Sequence, residues 1–197
     1  MRILFATSNI NKITEAAEIL GPLGHSVEGL IIDGNRPIFN EPKELGLEAV
    51  TESKIEQALA LIEGTEFEGA AVLVEDSGVF THAFEGWPGA NSADVEEKIG
   101  LDGVLERISE SINRGGEYRA VVILSDGYNY WKAIGVCKGK FSEEKRGSNG
   151  FGYDPIFIPE EGDGRTFAEM ESSEKSSISH RGVAMKSLSR LLSDPSR

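Results

Sequence analysis

The chain has 197 residues, enough for one domain or one domain with two lobes around a sizeable core, and carries a net charge of −13. That acidic balance excludes a general DNA- or RNA-binding surface, and no apolar run of about 18 residues is present to span a membrane. A lone cysteine, Cys137, excludes an internal disulfide framework and fits a reducing cytoplasm; with only three histidines beside it, a zinc site is not expected.

The opening "RILFA", Arg2 to Ala6, reads as a short buried strand, and the chain turns polar too soon after it for a signal-peptide core. Ile13, Ala16, Ala17 and Leu20 then recur at helical spacing until Gly21-Pro22 stops the helix. Strand, tight polar turn and helix together open an α/β unit. A second strand is predicted within "HSVEGLII", followed by a polar loop. Ile55, Ala58, Leu59 and Ile62 mark a second amphipathic helix ending at Gly64. "AAVLV", Ala70 to Val74, is apolar throughout and suits a central strand covered on both faces.

Leu101, Val104, Leu105, Ile108 and Ile112 form a further helical stripe. "YRAVVILSDGYNYWKAIGVCKG" reads as two long strands joined at Asp126-Gly127, a strong hairpin signal. Ala184, Leu188, Leu191 and Leu192 line one face of a C-terminal helix. No repeat, low-complexity tract or linker interrupts the chain, and the pattern is a mixed α/β protein with an antiparallel ribbon inserted in it.

Several segments carry candidate chemistry. In "ATSNINK", Thr7, Ser8 and Asn9 offer hydrogen-bonding groups at a helix N-terminus, and Lys12 adds a cation one turn in. This arrangement suits a phosphate, yet Ser8 or Asn9 acting only as a helix cap explains it equally simply. "VLVEDSG" places Glu75 and Asp76 at the end of a buried strand before a turn-forming Ser-Gly, where ligands of open α/β sheets gather. The two acids point to opposite faces, so they are expected to hold separate jobs. Asp76, nearer the turn, is the candidate metal ligand or base, and a solvated strand-end acid is the plain alternative. "EGWPGANSA" is a rigid turn anchored by Trp87 that leads into a helix capped by Asn91 or Ser92.

In "GSNGFGYDPIFIP" large flat side chains alternate with glycines and run into an apolar strand entry, an unusual build for a loop that only connects two elements. Lys175, His180 and Arg181 then bring three cations into one short stretch of an acidic chain. His180 is read as an acid–base, a hydrogen-bond donor or a helix cap, and these readings stay open. No G-x-S-x-G elbow supports a serine hydrolase.

In this order, TSNxNK, EDSG, the Trp-Pro-Gly turn, GFGYDPIF, TFAEM and K-x4-HR resemble the inosine triphosphate pyrophosphatase family, from Ile3 to about Leu192. The resemblance implies an elongated two-lobed single α/β domain over residues 1–197, built around a long mixed β-sheet flanked by helices. It also implies a cytoplasmic homodimer that needs Mg²⁺. The expected reaction hydrolyses ITP, dITP and XTP to the monophosphate and pyrophosphate. A non-hydrolytic nucleotide sensor and a Maf-like pyrophosphatase for modified pyrimidine nucleotides are the alternatives.

Carried over residue by residue, the phosphate turn falls on Thr7, Ser8, Asn9 and Lys12, with Ser8 where the family usually has glycine. Asp76 becomes the catalytic acid and a metal ligand, with Ser77 beside it in the nucleotide site. The second metal ligand aligns with Glu41, Glu48 being its competitor, and a helix lysine falls on Lys54. Base reading falls on Phe151, Gly152, Tyr153 and Asp154, followed by the late cations Lys175, His180 and Arg181. The resemblance thus expects a nucleoside triphosphate as partner, with neither a nucleic-acid polymer nor a membrane.

Overall fold

The structure, a computed structural model, describes residues 1–193; the last residues of the expected domain, 194–197, lie outside them. Six strands form one sheet: β1 Arg2–Phe5, β2 Ser26–Gly29, β3 Ala71–Thr81, β4 Gly115–Ser125, β5 Tyr130–Phe141 and β6 Phe157–Pro159. Among the described residues five α-helices flank it: α1 Ile10–Leu20, α2 Leu47–Ile62, α3 Ser92–Ser109, α4 Ser172–Ile178 and α5 His180–Leu192. The strand order is β2-β1-β3-β4-β5-β6. β1 pairs in parallel with both β2 and β3, while β5 and β6 run antiparallel, so the sheet is mixed as expected. No helix among the described residues is long and apolar enough to cross a membrane.

The chain forms two compact units. The first takes Met1–Asp76, Val121–Ile134 and the chain from Ala184 on; the second takes Ser77–Ala120 and Gly135–Val183. In the first, Leu4 of β1 and Ala6 just after it, Val72 and Val74 of β3 and Ile123 of β4 bury against Ile55, Ala58 and Ile62 of α2. Residues three and four apart on α2 thus supply the apolar stripe that a strand surface needs. In the second, Val104 and Ile108 of α3 pack with Tyr118, Phe141, Tyr153, Phe157 and Phe167. Aromatic edges meet faces there, with Phe157 against Tyr118 at 5.4 Å and against Phe141 at 5.6 Å between ring centroids.

The structure corrects four local readings. Ser77-Gly78 is not a turn: β3 continues through it to Thr81, so Asp76 lies within a long strand rather than at its end. Gly78 is needed there for space, because a Cβ at this position would come within 2.1 Å of the Gly89 carbonyl oxygen. Neither Asn91 nor Ser92 caps α3 with its side chain. Instead the Ser92 hydroxyl accepts the Val79 N–H at 2.9 Å and donates to the Gly89 carbonyl at 2.6 Å, tying β3 to the Trp-Pro-Gly segment. Ile112 falls beyond the end of α3 and is fully exposed, the helix having stopped at Ser109. His180 and Arg181, expected from the sequence just before the last helix, instead open α5, and a separate short helix, α4, precedes them.

Two outcomes follow from this packing. Gly78→Ala forces backbone apart at the Gly89 contact and lowers stability by about 1–3 kcal/mol, read by urea denaturation. Burial, helped by the charge of Glu161, pushes the Cys137 thiol up to about 12. Native protein therefore resists alkylation at mildly alkaline pH, whereas unfolded protein labels fully; rapid labelling of the native state would show that the thiol is not sheltered.

Candidate active site

The first unit gathers charges around α1, α2 and β3. At the β1–α1 turn, Asn9 is the N-cap: its side-chain oxygen accepts the Asn11 N–H at 2.9 Å. Thr7 turns inward on the same loop and accepts the Asn9 N–H at 3.2 Å. Ser8 is exposed and is not among the residues with positive φ, so a serine in the usual glycine position meets no backbone penalty. Its carbonyl accepts Arg36 Nη1 at 3.3 Å, a cation that no motif signalled because it comes from the long loop after β2.

Lys12, one turn into α1, reaches β3 and pairs with the buried Glu75 at 2.6 Å. Asp76, the next residue, faces a different lysine, as the alternation of a strand requires. Lys54 of α2 is buried, and its ammonium lies 2.8 Å from Asp76 Oδ1 and 2.7 Å from Glu41 Oε1. Lys43 adds a second cation 3.3 Å from the other Glu41 oxygen. Burial works against the charge on Lys54, but the two carboxylates outweigh it and hold its pKa above the usual lysine value. Burial lifts the Asp76 carboxyl by more than Lys54 and Lys12 pull it down, and the nearby Glu75 charge adds to the rise. Glu41, less enclosed, ends below its usual value because its two lysines outweigh its burial.

Glu41 and Glu48 separate clearly in this geometry. Glu48 is exposed on α2 and pairs with Lys132, as does Glu52 at 2.9 Å. Glu41 alone of the two shares an ammonium with Asp76. No group of three or more His, Cys, Asp or Glu side chains suited to a metal gathers among the described residues. A pair of carboxylates nevertheless fits Mg²⁺, which takes only oxygen donors and typically one or two protein carboxylates, with waters and substrate phosphates completing the set. The Lys54 ammonium between them shows that the two carboxylates lie close enough to share one cation.

The second unit gathers a different set. Asp154 is buried, and its Oδ2 accepts the Phe151 N–H at 2.8 Å and the Lys175 ammonium at 2.7 Å. Gly150 lies against the same carboxylate and has φ of 73°, so a side chain there would meet both steric and backbone resistance. Phe151 is half-buried, with Lys175 Nζ 4.8 Å and Arg181 Cζ 5.3 Å from its ring centroid. Arg181 also donates to the Ser77 hydroxyl at 3.2 Å. His180 stacks on Tyr118 at 3.9 Å, with the rings 9° from parallel. Tyr153 is a core residue whose hydroxyl donates to the Ser92 carbonyl at 2.9 Å. Burial raises its pKa, as it does that of Tyr118, where the charge of Asp154 adds to the effect.

Thr7, Ser8, Asn9, Lys12, Glu41, Lys54 and Asp76 thus lie together in the first unit. Ser77, Phe151, Gly152, Tyr153, Asp154, Lys175, His180 and Arg181 lie in the second. Lys175 is paired with Asp154 inside its own unit. Arg36 and Lys43 in the first unit and Tyr118 in the second were not anticipated, and only folding brings each beside the candidate residues of its own unit.

Comparison with known proteins agrees with the resemblance. The model of the Ham1 family matches residues 3–191. The chain is 39% identical over 187 residues to a dITP/XTP pyrophosphatase of Pyrococcus horikoshii, covering 94% of each chain. It is 38% identical over 194 residues to another from Thermococcus kodakarensis, covering 98% of each. Among solved structures, a HAM1 protein from Coxiella burnetii matches with a TM-score of 0.80 at 27% identity, over 98% of each chain. A six-stranded mixed sheet, motifs spread along almost the whole chain and full-length likeness to these relatives lead to one conclusion: the chain belongs to the Ham1 family.

Proposed function

We propose that this chain hydrolyses deaminated purine nucleoside triphosphates, dITP, ITP and XTP, to the monophosphate and pyrophosphate, clearing them from the nucleotide pool. The observation that carries this reading is the convergence of Glu41 and Asp76 on the Lys54 ammonium. A site that merely bound a polyanion would gain nothing from two carboxylates facing it, whereas metal-assisted hydrolysis uses them. The names of the Pyrococcus and Thermococcus relatives support the same substrate class. A cytoplasmic homodimer working with Mg²⁺ belongs to this reading.

Releasing pyrophosphate requires water to attack the α-phosphorus, with the developing charge spread over phosphoryl oxygens. Catalysis is then mainly positioning and electrostatic stabilisation. Lys12 and Lys54 neutralise phosphate oxygens, each held in place by a carboxylate of β3. Glu41 and Asp76 would hold Mg²⁺, which when bound offsets phosphate charge and makes a water more acidic. Asp76 orients the attacking water and takes its proton.

Base choice falls to the second unit. A purine stacked on Phe151 gains about 1–3 kcal/mol, with little preference between bases. Selection comes from polar groups at the base edge. Hypoxanthine and xanthine present O6 as acceptor and N1–H as donor, and adenine reverses both. Arg181 and His180 are the donors for O6 in this reading. Mispairing leaves buried polar groups unsatisfied, and that is what rejects adenine. Lys175 supports the platform through Asp154 and Phe151 instead of meeting the phosphates.

The decisive assay measures pyrophosphate released from ITP, XTP, dITP, ATP, GTP and TTP, with and without Mg²⁺. Metal-dependent release from ITP and XTP well above that from ATP and GTP is expected. No release from either would leave a nucleotide-binding sensor, and preference for a pyrimidine would point to the Maf-like alternative. Asp76→Asn at saturating Mg²⁺ should lower kcat by about 100-fold or more. A variant within a few-fold of wild type would remove Asp76 from the chemistry.

A further inference from the structure

Glu96, on the first turns of α3, belongs to none of the recognised motifs. It is half-buried, and no hydrogen bond or ion pair to it exists among the described residues. Its carboxylate lies against Gly152: a Cβ built on Gly152 would sit 3.6 Å from Glu96 Oε2 and 3.5 Å from the Tyr118 hydroxyl. Burial and the charge of Asp154 both push its pKa up, and neither is offset by a basic group. A carboxylate kept partly dry with no partner is costly unless something else meets it.

The neighbouring acid cannot serve at the base edge. Asp154 is fully enclosed and already receives the Phe151 N–H and the Lys175 ammonium. Its work is to fix the loop that carries Phe151. The base edge therefore needs another acceptor, and Glu96 is the carboxylate beside Gly152 that has room to act. Gly152, with φ of 63° and no side chain, leaves its flank open.

We infer that Glu96 is a specificity-determining residue at the base edge, its carboxylate accepting the N1–H of a deaminated purine stacked on Phe151. The inference rests on the purine reading above and names the group that takes the N1 proton. Adenine has a lone pair at N1, which a carboxylate repels. Guanine shares the N1–H, so Glu96 sorts adenine from the oxo-purines and leaves guanine to be refused elsewhere. No other carboxylate of the second unit meets Gly152.

Calorimetric binding of IMP and AMP to wild type, Glu96→Gln and Glu96→Ala separates this role from a structural one. These monophosphates read the base edge without the chemistry. The Gln variant can donate to adenine N1, so its IMP-to-AMP affinity ratio should fall about tenfold or more below wild type. The Ala variant should lose IMP affinity with little change for AMP. A ratio within twofold of wild type in both variants, or equal loss of IMP and AMP, overturns the assignment. Failure of the hydrolysis reading would show elsewhere, as wild-type protein that turns over no ITP while still favouring IMP over AMP.

Discussion

The structure of the first unit turns on one buried ammonium. Lys54 sits on α2 where a helix facing a sheet would normally carry an apolar residue, and there it holds Glu41 and Asp76 together. Left alone, two carboxylates this close would repel, and a buried Asp76 would tend to take up a proton. Left without them, Lys54 would be an unpaired charge in a protein interior, which costs several kcal/mol. The loop before α2, the helix itself and β3 must therefore all arrive in register for any of the three charges to be tolerable. Lys12 and Glu75 repeat the device on the next residue of the strand. Alternation along β3 gives each acid its own lysine, and so would keep phosphate neutralisation apart from the metal-binding and water-handling role proposed for Asp76.

The second unit applies the same principle to a different end. Its buried pair, Asp154 with Lys175, ties down the glycine-rich loop through the Phe151 N–H. The cation from that pair and the guanidinium of Arg181 both lie near the half-buried Phe151 ring, the platform proposed for the base. His180 stacked on Tyr118 and Tyr153 bound to the start of α3 complete a rigid polar and aromatic wall. Rigidity is what selective base reading requires, since a soft site would adjust to adenine as readily as to hypoxanthine.

Much of this was legible in the residues before folding. The period of Ile13, Ala16 and Leu20 and the Asp126-Gly127 hairpin located elements correctly, because local physics decides them. Asp76 and the late cations were readable as candidates because charged groups stand out on apolar strands and on an acidic chain. Other features were hidden for a common reason. Ser77-Gly78 looks like a turn locally, and only the distant Gly89 carbonyl makes an extended glycine necessary. Glu41 and Glu48 are indistinguishable by type, and the choice between them depends on which lysine each meets after folding. The Asp154–Lys175 pair links residues 21 apart, and Glu96 lies on a helix whose pattern advertises only its buried face.

The central claim is that water attacks the α-phosphorus of a deaminated purine triphosphate at a site organised by Asp76. Hydrolysis of ITP in water enriched in oxygen-18, followed by mass analysis of the separated products, tests this most directly. The account predicts the heavy oxygen in IMP and none in pyrophosphate. Heavy oxygen in pyrophosphate, or inorganic phosphate as the first product, would contradict it.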